Sequence, residues 1–177
     1  MTPEDIHQKL QAQFGDRIRE FHGAARDPYV VVEAAAMHEI GDYLRHDVDL
    51  QFDSLMCLSG VDYGPGKTLG VVYHLASMTH RHKCTVKVEV PREGGSVPTV
   101  ADIWRTAEWH EREAYDMYGM SFAGHPDHRR ILLPDDWDGF PLRKDYEVQA
   151  FYHGIRVPYT EDPPGVGMEV YRTQDRD

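Results

Sequence analysis

Apolar residues change their period several times along this chain, and each change marks an element. Ile6, Leu10 and Phe14 recur at i, i+4 and i+8. Thr2 as N-cap, Pro3 at the first helical position and the acids Glu4 and Asp5 in the first turn start a helix that Gly15 ends. Ile18 and Phe21, set among charged residues, predict a short strand-like segment closed by a turn at Arg26-Asp27-Pro28, and the β-branched run from Tyr29 to Val32 predicts a strand. Residues 34–44 read as a helix with Met37, Ile40 and Leu44 on one face. Residues 55–61, 68–78 and 83–90 read as strands. In the last, Cys84, Val86, Val88 and Val90 alternate with Lys83, Thr85, Lys87 and Glu89, the pattern of a half-buried antiparallel strand. Thr99 with Asp102 three residues on is a variant of a capping box. A helix unbroken from there to Tyr118 places Val100, Ile103, Trp104, Ala107 and Ala114 on one face, with Glu111 in its middle and Gly119 as the stop. A carboxylate on such a face needs a partner, because an unpaired buried charge is costly.

Strands joined by hairpin-length turns, with helices before and after them, predict an α+β fold: a mostly antiparallel sheet with flanking helices. The pattern divides the chain into an α+β domain (1–118), an irregular segment (119–146) and an extended C-terminal arm (147–177). The arm mixes Gly154, Pro158, Pro163, Pro164, Gly165 and Gly167 with Phe151, Tyr152, Tyr159 and Tyr171, aromatics that predict an arm laid against a surface.

Composition narrows the function. The 177 residues suffice for a substantial core, and 41% hydrophobic with 28% charged is globular composition. A net charge of −11 opposes nucleic-acid binding and docking on anionic lipid. Cys57 and Cys84 are too few for a four-thiolate zinc or iron–sulfur site. The start, MTPEDIHQKL, has no signal-peptide pattern, and no apolar run reaches the ~20 residues of a membrane span. The expectation is a soluble, cytoplasmic chain.

Four constellations invite chemistry. Gly66-Lys67-Thr68 lacks the upstream glycine of a phosphate loop, since Val61 holds that position, and strand residues follow it, so it reads as a hairpin turn. His80, His82 and Cys84 alternate, with His74 on the preceding strand, but Cys84 shares its face with core valines and the histidines fall in the turn. His110, Glu113, His125 and His128 could hold a metal or act as an acid–base pair in a hydrolase, but no nucleophile motif accompanies them. Asp135, Asp136 and Asp138 lack the spacing of a calcium loop. Catalytic, cofactor and metal residues are therefore expected to be absent. The stretch 111–146 stands apart: Arg129, Arg130, Arg143 and Lys144 lie among carboxylates with Ile131, Leu132, Leu133, Trp137 and Phe140 beside them. Arginine and tryptophan among acids are the chemistry of contact surfaces, and also of internal neutralisation of Glu111, Glu113 and Asp116.

In order, Glu111-Arg112-Glu113, Tyr115-Asp116-Met117-Tyr118-Gly119, Phe122, Gly124-His125-Pro126-Asp127, Arg129-Arg130-Ile131-Leu132 and Pro141-Leu142-Arg143-Lys144-Asp145-Tyr146 resemble the signature of the C subunit of NADH-quinone oxidoreductase, the bacterial complex I counterpart of the mitochondrial iron–sulfur protein 3 subunit. A looser likeness runs upstream through Gly60-Val61-Asp62-Tyr63 and Val72-Tyr73-His74-Leu75. The resemblance implies an α+β subunit of the peripheral arm, on the cytoplasmic side of the cell inner membrane. It implies no cofactor in this chain, with FMN and iron–sulfur clusters in partner subunits. Its implied partners are the large subunit forming much of the quinone cavity and the subunits carrying the terminal clusters. Related subunits occur in membrane-bound hydrogenases and in complexes using other donors. Two positions depart from the pattern: Phe140 stands where many members have His, and Glu147 where Pro is common.

Overall fold

The computed structural model describes residues 1–157. Helix α1 (Pro3–Phe14) opens with a reciprocal capping box, in which Thr2 Oγ1 accepts from Asp5 N–H while the Asp5 carboxylate accepts from Thr2 N–H. Ile6 and Leu10 are fully buried, and Gly15 (φ 53°) ends the helix. Strand β1 (Ile18–His22) pairs antiparallel with β2 (Tyr29–Val32). Residues 34–44, expected as one helix, begin instead with a 3₁₀ turn (Ala34–Ala36) that leads into α2 (Met37–His46), with Met37, Ile40 and Leu44 buried as their spacing predicts. Strands β3 (Ser54–Asp62), β4 (Leu69–Ala76) and β5 (Lys83–Val90) follow as two antiparallel hairpins.

The sheet order is β1-β2-β5-β4-β3, and β2 joins β5 in parallel. The sheet is thus mixed and mostly antiparallel. Its parallel junction arises because α2 and the β3–β4 hairpin supply the long crossover that parallel neighbours require. Val30, Val86, Tyr73 and Leu58 stand in register across four strands and form a row of the core. Beside them, Val32, Val88 and Val71 end at Gly60. A Cβ at Gly60 would lie 2.5 Å from the Tyr118 ring and 2.7 Å from Met120 Cε. The missing side chain is what lets the end of the third helix reach the sheet.

That helix, α3, spans Ala107–Tyr118 and does not run unbroken from Thr99. Thr99 N–H donates to Ala123 O beside a short parallel pair, β6 (Ser96–Pro98) with β7 (Ser121–Ala123), and Trp104 Nε1–H donates to Phe52 O at 2.8 Å. These distant bonds hold residues 100–104 as a single turn, closed by Trp104 N to Val100 O at 2.9 Å. Local propensity yields to them. The apolar residues assigned to that face are buried all the same, because both turn and helix press the same side onto the core. Gly119 ends α3 in the left-handed region (φ 72°), as expected of a C-terminal stop.

Met1–Asp145 form one compact unit, and a second begins at Tyr146. Within the second, part of the segment expected as an extended arm is a hairpin, β8 (Phe151–Tyr152) with β9 (Ile155–Arg156). His153 (φ 50°) and Gly154 (φ 77°) supply the two positive-φ residues of a tight two-residue turn. The arm beyond Val157, Tyr159 and Tyr171 included, lies outside the described residues. Among the described residues, no helix is long and apolar enough to cross a membrane.

Candidate functional site

The segment after α3 is held to the domain at three points. The first is His125, bonded to the backbone of α3 beside Glu111, a carboxyl that is fully buried. The Glu111 carboxylate accepts from Thr99 Oγ1 at 2.5 Å and from Val100 N–H at 2.8 Å, so the pairing it requires comes from neutral donors and not from an arginine. Burial pushes its pKa up to about 7, against the two hydrogen bonds that lower it. His125, whose side chain is also fully buried, sits with Nε2 3.9 Å from Glu111 Oε2. Its Nδ1 accepts from Asp127 N–H (3.0 Å), so Nε2 carries the hydrogen and donates to Glu108 O (3.0 Å).

The second point is Asp116, also fully buried. One oxygen, Oδ2, accepts the consecutive N–H groups of Ile131, Leu132 and Leu133 at 3.0, 2.7 and 3.0 Å, and Oδ1 accepts from Arg130 at 2.8 Å. Burial by itself would raise this carboxyl's pKa, but the amides and the guanidinium outweigh it and hold the pKa below the usual range. Arg130 also donates to Trp137 O and Gly139 O. One turn earlier on α3, Arg112 donates to Arg129 O (3.2 Å) and pairs with Asp127 (3.2 Å), which Arg129 also grips. Arg112 and Asp116, one helical turn apart, thus bond outward to the segment and not to each other.

The third point is Asp62, at the end of β3. Arg92 clamps it with two bonds of 2.6 and 2.7 Å and at the same time holds Asp145 at 3.0 and 2.9 Å, while Lys144 N–H donates to Asp62 at 2.7 Å. The bonds from Arg92 hold the Asp62 carboxyl far below its ordinary pKa. Arg143 Nε donates to Tyr118 O at 2.6 Å, and its guanidinium and that of Arg130 lie 4.8 and 5.2 Å from the Phe140 ring. The ring closes on Gly119, where an added Cβ would be 2.5 Å from it. Phe140, one of the two departures from the family pattern, therefore serves as a cation–π platform.

Arg112, Asp116, Arg130, Arg143 and Asp145, together with Glu111, His125 and Asp127, make bonds within the chain. Gly119, Gly124 (φ 82°), Pro126 and Pro141 shape the path. Facing outward are Trp109 (60% exposed), Leu132 (61%) and Leu142 (52%), with Glu113, Arg129 and Lys144 around them. The Trp109 ring lies over Arg112, and Leu132 and Leu142 are anchored through their own amides to Asp116 and Met117 O. Sequence reasoning missed Arg92 and the central place of Asp62, because the loop and turn around them read only as connections.

The remaining candidate histidines bond to backbone groups. His110 Nδ1 lies against the backbone of Leu58 on β3, and His128 Nε2 accepts from Phe122 N–H, so with His125 each ring engages a different backbone group. His82 donates to Leu50 O and His80 to Val48 O, and burial pushes the Cys84 thiol up to about 12. Among the described residues, no cluster of three or more His, Cys, Asp or Glu side chains has metal-binding geometry. Gly66-Lys67-Thr68 is the β3–β4 turn, closed by Lys67 N–H to Gly64 O. Asp135, Asp136 and Asp138 are exposed.

Comparison with known proteins adds relatives to this geometry. The family model described as "Respiratory-chain NADH dehydrogenase, 30 Kd subunit" matches residues 30–152. The NADH-quinone oxidoreductase C subunit of Chloroherpeton thalassium is 54% identical over 158 residues, which are 88% of this chain but 65% of that protein. The protein of the same name from Chlorobium phaeobacteroides is 50% identical over 152 residues, 85% of this chain and 92% of its own. Among solved structures, a trypsin-resistant fragment (1–134) of Nqo5 is 28% identical, covers 72% of this chain and 99% of its own, and superposes with a TM-score of 0.57. A chain of the membrane-bound sulfane sulfur reductase, an archaeal respiratory membrane complex, is 23% identical with a TM-score of 0.69 over 90% of this chain and 95% of its own, a likeness of fold.

Proposed function

Because the chain belongs to the family of the respiratory-chain NADH dehydrogenase 30 Kd subunit, we propose that it is a non-catalytic, peripheral-arm subunit of a proton-translocating NADH-quinone oxidoreductase. In this reading it lies on the cytoplasmic side of the inner membrane, against the quinone-cavity subunit and the subunits bearing the terminal clusters. It binds no flavin, metal or cluster itself, and FMN and iron–sulfur clusters reside in its partners.

One observation carries the reading. The signature segment uses its buried charges to fold back on its own domain, and among the side chains it leaves outward are two large apolar ones, Leu132 and Leu142, while Trp109 of α3 is exposed as well. Rigidly anchored aromatic and aliphatic side chains at a surface are what a protein partner covers. The histidines that a hydrolase would need are divided among separate backbone contacts, which favours a binding role over a catalytic one.

Co-purification tests the reading. A tagged full chain carrying Leu132→Asp and Leu142→Asp is expected to fold as the unaltered chain does, by circular dichroism. Recovered complex is expected to fall roughly tenfold, as when interface anchors are lost. Unchanged recovery sinks the docking role, and stoichiometric flavin or cluster absorbance in the isolated chain sinks the non-catalytic one. The likeness in fold to a chain of another respiratory membrane complex supports a second setting, an equivalent subunit in a complex with a different electron donor. Identifying the co-purified subunits separates the two.

A further inference from the structure

Ile131, Leu132 and Leu133 donate their amides to Asp116, so the exposed Leu132 side chain projects from a fixed backbone. One turn earlier on α3, Arg112 reaches the carbonyls of Arg129 and Arg130 and lies 5.1 Å from the ring of the exposed Trp109. Both apolar side chains are thereby tied to adjacent turns of one helix.

Carboxylates border them. Glu113 follows Trp109 by one turn of α3, and Asp135, Asp136 and Asp138 follow Leu132 in a turn closed by Trp137 N–H to Pro134 O. Arg130 holds that turn from inside, through Trp137 O and Gly139 O. All four acids are exposed. The arginines of this stretch are engaged with other carboxylates, Arg112 and Arg129 with Asp127 and Arg130 with Asp116. The charge left outward beside Leu132 and Trp109 is therefore negative. Apolar surface with an acidic border is complementary to apolar surface bordered by lysine and arginine.

We infer that Trp109 and Leu132, with Glu113, Asp135 and Asp138 around them, dock a protein partner whose apolar patch carries a basic rim. The docking role proposed for Leu132 is the premise, and the partner's charge is what the carboxylates add. A second copy of this chain would bring the same acids to the contact, and with a net charge of −11 the chain repels its own kind. An anionic lipid surface is opposed for the same reason. In such a contact the apolar side chains lengthen the life of the complex, while the rim charges steer the approach and reject acidic surfaces.

Co-purification at two salt concentrations tests the partner's charge. Full-length tagged chains are compared with the unaltered one: a neutralised triple variant (Glu113→Gln, Asp135→Asn, Asp138→Asn) and a reversed one (Glu113→Lys, Asp135→Lys, Asp138→Lys). Recovered complex at about 0.05 M salt is expected to fall roughly threefold on neutralisation and roughly tenfold on reversal. At about 0.5 M salt, where exposed charges are largely screened, the three recoveries should converge. Equal recovery of all three at low salt, or higher recovery after reversal, overturns the inference. So does self-association of the isolated neutralised chain in sedimentation, which would name a second copy as the occupant. If Leu132→Asp with Leu142→Asp lowers recovery and the charge variants do not, docking stands and the basic rim falls; if neither does, both fall. All three altered side chains are exposed, so circular dichroism of the isolated variants should match the unaltered chain, and if the reversed variant does not fold the neutralised one decides.

Discussion

At the scale of single residues, two fully buried carboxyls on one helix have pKa shifts of opposite sign, and the difference is their donors. Glu111 has one hydroxyl and one amide, too few to offset burial, whereas Asp116 has three amides and a guanidinium. Glu111's folded pKa of about 7 lies above its ordinary 4.5. Its contribution to stability is therefore fully present below about pH 4.5 and is lost as the pH rises through about 7, a difference on the order of 3 kcal/mol. Glu111→Gln should lack that loss, so denaturant midpoints of the two proteins measured across this range should diverge, the unaltered chain weakening as pH rises. Glu111→Lys, which puts a cation on the apolar face, should destabilise at every pH. Asp116 behaves the other way: its stabilisation is present above the ordinary carboxylate range and is lost as the pH falls through its depressed folded value. Asp116→Ala strands Arg130 and three amides and should cost about 3–5 kcal/mol in chemical denaturation.

At the scale of elements, α3 and the segment laid along it act as one piece. The helix can stop where it does because Gly119 adopts φ 72°, and the absence of a side chain there makes room for Phe140. Gly119→Ala meets both obstacles, a left-handed backbone and a ring 2.5 Å from the new Cβ. It is expected to lower the melting temperature by several degrees, a loss on the order of 2 kcal/mol. The β3–β4 hairpin is legible in sequence because turn residues sit between alternating strands. The break between Thr99 and Ala107 is not legible, because it depends on Ala123 and Phe52, residues distant in sequence that hold Thr99 and Trp104.

At the scale of the whole molecule, charge reversal separates internal from external roles. A double reversal of Arg143 and Lys144 tests no interface cleanly, since Arg143 bonds to Tyr118 O and lies beside Phe140 while the Lys144 side chain is exposed. Lys144→Glu is expected to leave the melting temperature within a degree or two, as surface substitutions do, and Arg143→Glu to lower it clearly, which a thermal scan of both variants would show. Because Met1–Asp145 is a compact unit, a chain ending after Asp145 should still unfold in one cooperative step. A broad or multiphasic transition in that truncated chain would contradict it.

Periodicity, caps and an ordered motif are written in near neighbours, and they carry α1, β2 to β5, the α+β class, the burial of Glu111 and the family resemblance. The parallel junction of β2 with β5, the donors that serve Glu111 and Asp116, and the Arg92 clamp on Asp62 and Asp145 were decided only by tertiary structure. Each joins residues far apart in the chain, and whether a charge faces a neighbouring segment or solvent is fixed only when the sheet has brought both partners together.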